Sequence, residues 1–115
     1  MGKTSDIRLT VALGDDNIPE KITWMATDNG QGTPEECKAF MLSLFDGNAD
    51  ESLRIDLWTN EMRQDEMDKF FFETFLTMAD TYKRANTNQE VTNFIKDFAF
   101  QFGEKVGLLK RRENA

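Results

Sequence analysis

The 115-residue chain carries 21 acidic and 14 basic side chains, a net charge of −7, and no histidine. With an isoelectric point near 4.6, its surface repels phosphate backbones and anionic lipid, so neither nucleic acid nor a membrane is an expected partner. The missing histidine and the single cysteine remove imidazole acid–base catalysis, Cys–His nucleophiles, intramolecular disulfides and most zinc sites.

The length suits one domain, residues 1–115. The 39 % hydrophobic content, with ten Phe, is enough for a core without metal or disulfide staples. Apolar stretches stay far short of the ~20 residues that span a bilayer. Met1-Gly2-Lys3-Thr4-Ser5-Asp6 has no apolar signal region, and Asp6 breaks the myristoylation pattern. A lone Cys37 fits a reducing interior. A cytoplasmic chain is expected.

The first half reads as strands. Ile7, Leu9, Val11 and Leu13 alternate with mostly polar residues, which predicts a strand over 6–13. Gly14-Asp15-Asp16-Asn17 is a turn, and Ile22, Trp24 and Ala26 share a face of a second strand over 21–27, so the two segments read as a hairpin. Asp28-Asn29-Gly30-Gln31-Gly32 is a flexible connection. Thr33-Pro34-Glu35-Glu36 has the pattern of a helix start, with Thr as N-cap and Pro at the first position. One helical turn is expected at 34–38, then a strand over 39–46. The alternative is a helix through 34–46 and only three strands. Asp46-Gly47-Asn48-Ala49-Asp50 is a turn, and Leu53 to Trp58 alternates as a strand over 52–59.

The second half changes to a 3.6-residue period. Met67, Phe70, Phe71, Thr74, Phe75, Met78 and Tyr82 trace a stripe of a helix over 63–85, with Phe72, Leu76 and Ala79 beside it. Thr87-Asn88-Gln89-Glu90 is a capping box for a second helix over 88–108, whose stripe is Val91, Phe94, Ile95, Phe98, Ala99, Phe102 and Val106. The expected class is α+β: a four-stranded antiparallel meander followed by two long helices.

Chemical motifs are weak. Gly2-Lys3-Thr4 lacks the strand, the upstream glycine and the helix of a phosphate-binding loop. Asp46, Asn48 and Asp50 echo a calcium loop, but Glu51 and Leu57 stand where Gly and an acid are required, so a turn with solvated carboxylates is expected. Cys37 reads as a packed small residue and Lys110-Arg111-Arg112 as a solvated helix end. No catalytic couple, metal set or cofactor site emerges. The aromatic excess is the informative feature. Phe70, Phe71 and Phe72 span roughly 200° of helix surface, and Phe100 lies off the second stripe. Two helices and a small sheet offer few surfaces to cover it, so a homo-oligomer or a protein partner is expected to bury the remainder, with Trp24, Trp58, Phe72 and Phe100 as contacts.

Ile18-Pro19-Glu20-Lys21-Ile22-Thr23-Trp24, Leu53-Arg54-Ile55-Asp56-Leu57-Trp58-Thr59, Asp65-Glu66-Met67, Phe70-Phe71, Thr74, Met78-Ala79-Asp80-Thr81 and Arg84-Ala85, in that order, resemble the gliding-motility GldC family of Bacteroidetes. The resemblance runs from about Ser5 to Lys105. Arg63 and Phe72 depart from the pattern expected of that family, which has Pro and His there. It implies a cytoplasmic accessory protein of gliding motility, linked to type IX secretion, and supplies no active site or cofactor. A weaker likeness, of element order alone, is to the SecB-like export chaperones. The expected function is therefore a non-enzymatic interaction protein of gliding motility, the alternative a holdase for exported or unfolded clients.

Overall fold

The computed structural model describes residues 2–27 and 33–110. The connection expected at 28–32, and Arg111 and Arg112 of the basic tail, lie outside the described residues. The chain divides into two compact units, Met1–Met62 and Arg63–Ala115, each α or β by itself, so the α+β class holds.

The first unit has five strands: β1 (Ile7–Leu13), β2 (Pro19–Ala26), β3 (Glu35–Cys37), β4 (Ala39–Asp46) and β5 (Glu51–Trp58). Their order is β1-β2-β3 in one antiparallel sheet and β4-β5 in another. The single four-stranded meander is thereby corrected to two sheets, parted at a bend on Lys38. The helical turn expected at 34–38 is also replaced. Ile22 pairs with Cys37 and Trp24 with Glu35, so β3 extends the first sheet. Backbone pairing with β2 outweighs the local capping signal of Thr33 and Pro34, since tertiary context overrides propensity. The strand expected over 39–46 is β4, and the alternative helix through 34–46 is absent.

Thr59 N–H donates to Lys38 C=O at 2.8 Å, extending the β4-β5 ladder by one pair, and Asn60 N–H donates to Pro19 C=O at 3.0 Å, joining that sheet to β2 of the first. The turns are built as their residues demand. Asn17 takes a φ of 62° and Asp50 one of 56°, left-handed values that Asn and Asp tolerate best among residues with a side chain. Asp46 Oδ1 accepts from Asn48 N–H at 3.0 Å and Ala49 N–H at 3.4 Å, and Asp16 Oδ1 from Ile18 N–H at 3.0 Å. The alternating acids at 46–50 thus serve a turn.

The second unit is a helical hairpin of α1 (Gln64–Ala85) and α2 (Gln89–Lys105). Acidic Asp65 and Glu66 open α1, and basic Lys83 and Arg84 close it, matching the helix dipole at both ends. The cap of α2 is Asn88, not Thr87: Asn88 Oδ1 accepts from Val91 N–H at 3.2 Å. The helix ends earlier than the expected 108. Gly107 takes a φ of 84°, Leu108 N–H reaches Gly103 C=O at 2.9 Å and Gly107 N–H reaches Glu104 C=O at 3.2 Å. That is a Schellman ending, which requires a residue at ease with positive φ.

Candidate protein-interaction surface

In the helical hairpin the buried residues are small: Ala79 of α1, and Thr92, Ala99 and Gly103 of α2. Small residues let two helix backbones approach closely and leave larger side chains to the flanks. Phe71 stacks on Phe102 with ring centroids 6.4 Å apart, while Phe75 meets Phe98 edge-on at 5.1 Å and Phe102 at 5.2 Å. The helices therefore run antiparallel, zipped by four phenylalanines whose edge-to-face pairs each add about 0.5–1.5 kcal/mol. Beside this ladder Phe94 is 75 % exposed, and Phe98 and Met78 are half exposed. The 3.6-residue periodicity places Phe94 and Phe98 on the core stripe. The structure instead runs the seam through Thr92, Ala99 and Gly103, along one flank of that stripe. The small residues spaced at 92, 99 and 103 were the signal for it.

The sheets show the same surplus. In β4-β5 the cross-strand pairs Phe40–Leu57, Leu42–Ile55 and Leu44–Leu53 put six apolar side chains on one face. Leu44, Leu53 and Ile55 are half exposed. The opposite face carries Phe45, 67 % exposed, Trp58, 55 % exposed, and an ion pair in which Arg54 donates to Asp56 at 2.9 Å. In the first sheet Ile7, Leu9 and Val11 lie opposite Ala26, Trp24 and Ile22. Ile22 is fully buried, while Ile7 at the strand's start is 79 % exposed.

The four expected contact residues are placed differently from one another. Trp58 and Phe100 are exposed. Trp24 is half-buried at the centre of β2, between Leu9 and Glu35. Phe72 is half-buried against Gly103, where a Cβ would stand 2.7 Å from its ring. Phe45, Ile55, Phe94 and Phe98 are exposed as well, and sequence reasoning did not single them out.

A cleft of about 260 Å³ lies where the two sheets meet, lined by Glu20, Lys21, Ile22, Glu36, Cys37, Lys38, Thr59 and Glu61. Lys21 and Glu36 face each other at 3.9 Å. Burial pushes the Cys37 thiol above its ordinary range, which outweighs the lowering by its backbone hydrogen bond at Ala39. A thiol held protonated is a poor nucleophile. Among the described residues no cluster of three or more His, Cys, Asp or Glu could hold a metal ion, and no helix is long and apolar enough to cross a membrane.

These features define an α+β chain that leaves large apolar side chains exposed on both of its units. The sequence profile described as "Gliding motility-associated protein GldC-like" matches residues 19–108. The chain belongs to that family, and the membership associates it with gliding motility. No curated protein and no solved structure matches it.

Proposed function

We propose that this chain is a non-enzymatic, cytoplasmic interaction subunit of the gliding machinery, tied to type IX secretion, that works by self-association and by binding protein partners. The observation that supports this is the neighbouring large apolar side chains exposed on each unit: Leu44, Leu53 and Ile55 on one face of the β4-β5 sheet, and Phe94 and Phe98 one turn apart on α2. Soluble monomers rarely leave contiguous apolar patches open, and such patches mark contact sites. Trp58 and Phe100 are the proposed anchors toward a partner, with Trp24 packed within the first sheet. A net charge of −7 suits protein partners over nucleic acid or anionic lipid. The reading needs no cofactor.

Tagged capture from a gliding cell, with in-cell crosslinking and mass spectrometry, tests the proposal. A short, reproducible set of motility or secretion components is the expected result. Its absence, with no loss of gliding when the gene is deleted, overturns the reading. A second reading is favoured by Phe94, Phe98 and Met78 together, since a flexible aromatic and thioether surface adapts to many sequences. A holdase using that surface would suppress aggregation of unrelated unfolded proteins at near-stoichiometric ratio, which a dedicated subunit would not do.

A further inference from the structure

The self-association in the proposed function rests on a surface not yet assigned, and the geometry points to the outer edge of β5 as the place where a second copy of this chain adds on, antiparallel and centred on Ile55. The sheet formed by β4 and β5 has only two strands, and an isolated pair of strands is at best marginally stable in water. Thr59 N–H bonds Lys38 C=O in the same register as the β4-β5 pairs. Alternation along the strand therefore turns the backbone groups of Leu57, Ile55 and Leu53 toward β4. Those of Ser52, Arg54, Asp56 and Trp58 are turned to the outer edge. Among the described residues that edge has no partner strand. Only its far end is engaged, where Asn60 bonds Pro19.

Charge selects both the occupant and the register. With Ile55 opposite its own copy, Arg54 lies opposite Asp56 of the second chain and Asp56 opposite Arg54, so the one ion pair already present within each strand closes with that of its copy into an alternating square. Sliding by one step either way places Arg54 against Arg54 or Asp56 against Asp56, and like charges directly opposite each other are unfavourable. The same register sets Leu53 against Leu57 and Ile55 against Ile55, which continues the apolar face of Phe40, Leu42 and Leu44 across both copies. The half-exposed Leu53 and Ile55 gain neighbours, and the four charges remain on the opposite face. The product is a four-stranded sheet with a two-fold axis through Ile55, an isologous arrangement that closes on itself.

Sedimentation of the full chain tests this. The parent is expected at twice the 13.3 kDa chain mass, and Arg54→Asp or Asp56→Arg alone at the mass of one chain. An equimolar mixture of those two variants restores the doubled mass, because each supplies the charge its partner lacks, as does the double exchange within one chain. Circular dichroism establishes that each variant is folded. Should the exchanges unfold the chain, a disulfide readout stands independently. In a Cys37→Ser background, Ile55→Cys is expected to crosslink two chains on oxidation. The two Cα atoms of a non-hydrogen-bonded pair lie about 4.5 Å apart, within the span a disulfide accepts. Leu53→Cys is expected not to crosslink, being about 13 Å from its copy along the strands. A monomeric parent overturns the proposal. So does a dimer that ignores the charge exchanges and crosslinks at neither or both positions, a result that leaves the partner-binding reading untouched.

Discussion

Gly103 of α2 lies directly beneath the ring of Phe72 of α1: a Cβ built on the glycine would stand 2.7 Å from Phe72 Cε1 and 2.9 Å from Leu109 Cδ1. The glycine is therefore a packing requirement of the helical hairpin. Gly103→Ala gains up to about 1 kcal/mol of helix propensity, but forcing a methyl into the seam costs about 1–3 kcal/mol. The expected net result is a thermal midpoint several degrees lower. In a Phe72→Leu background the ring is gone and only the flexible end of Leu109 remains close, so the same substitution should cost less. A double-mutant cycle by thermal unfolding measures the difference, and equal costs in both backgrounds would assign the penalty to Leu109 and not to the Phe72 ring.

At the start of α2 the capping-box pattern points to Thr87, whereas the structure caps the helix with Asn88. Asn88→Ala removes the acceptor for Val91 N–H and should lower stability by about 1 kcal/mol. Thr87→Ala removes no cap bond and should change it by less than about 0.5 kcal/mol. Denaturant unfolding of the two variants decides the assignment, and a reversed order would return the cap to Thr87.

Where sequence and structure agree, side-chain periodicity decided the element. The alternation of Leu53, Ile55 and Leu57 marks β5 because pleating sends every second side chain to one face. The Asp46–Asp50 turn is legible because its residues bond their own backbone. At Glu35–Cys37 the local pattern misleads. A threonine, a proline and two glutamates favour a helix start, yet the competing partner, β2, is distant in sequence and leaves no local mark. Phe94 and Phe98 fail for another reason. A broad apolar stripe shows that a helix is amphipathic without showing which flank meets its neighbour, and that choice falls to the small residues Ala99 and Gly103. Of the candidate surface, Trp58 and Phe100 were legible as unusual aromatics, whereas the edge of β5 becomes visible only once strand order is known.

Acid should weaken the helical unit through Asp65. The Arg63 guanidinium, bonded to both oxygens of this carboxylate at 3.0 and 3.2 Å, holds its pKa below the ordinary value. A carboxylate depressed in the folded state contributes stability that is fully present above the unfolded value, near 4. That contribution is lost as the pH falls through the lower, folded value. Arg63→Met should therefore lower the midpoint at pH 7 while converging with the parent once the pH has fallen through the depressed, folded value. Because the pair is exposed, salt should shrink the difference at neutral pH. A gap between the two proteins that is constant from pH 7 to pH 2 would assign the effect of Arg63 to packing instead.

Thr59, only 4 % exposed, buries an Oγ1 that has no hydrogen-bond partner among the described residues, although its backbone N–H is bonded to Lys38. A buried hydroxyl without a partner keeps its desolvation penalty, about 1–3 kcal/mol, with no compensating bond. Valine has nearly the same shape and removes the hydroxyl, so Thr59→Val should leave the sheets intact and raise stability by up to about 1 kcal/mol. Thr59→Ser keeps the hydroxyl and deletes the methyl, so it should destabilise by about 1 kcal/mol. Urea titration of the three proteins gives the order Val, Thr, Ser if the hydroxyl is unpaired. Should Thr59→Val be the least stable, the hydroxyl must hold a bond in solution, and the junction of the two sheets would then be a polar contact.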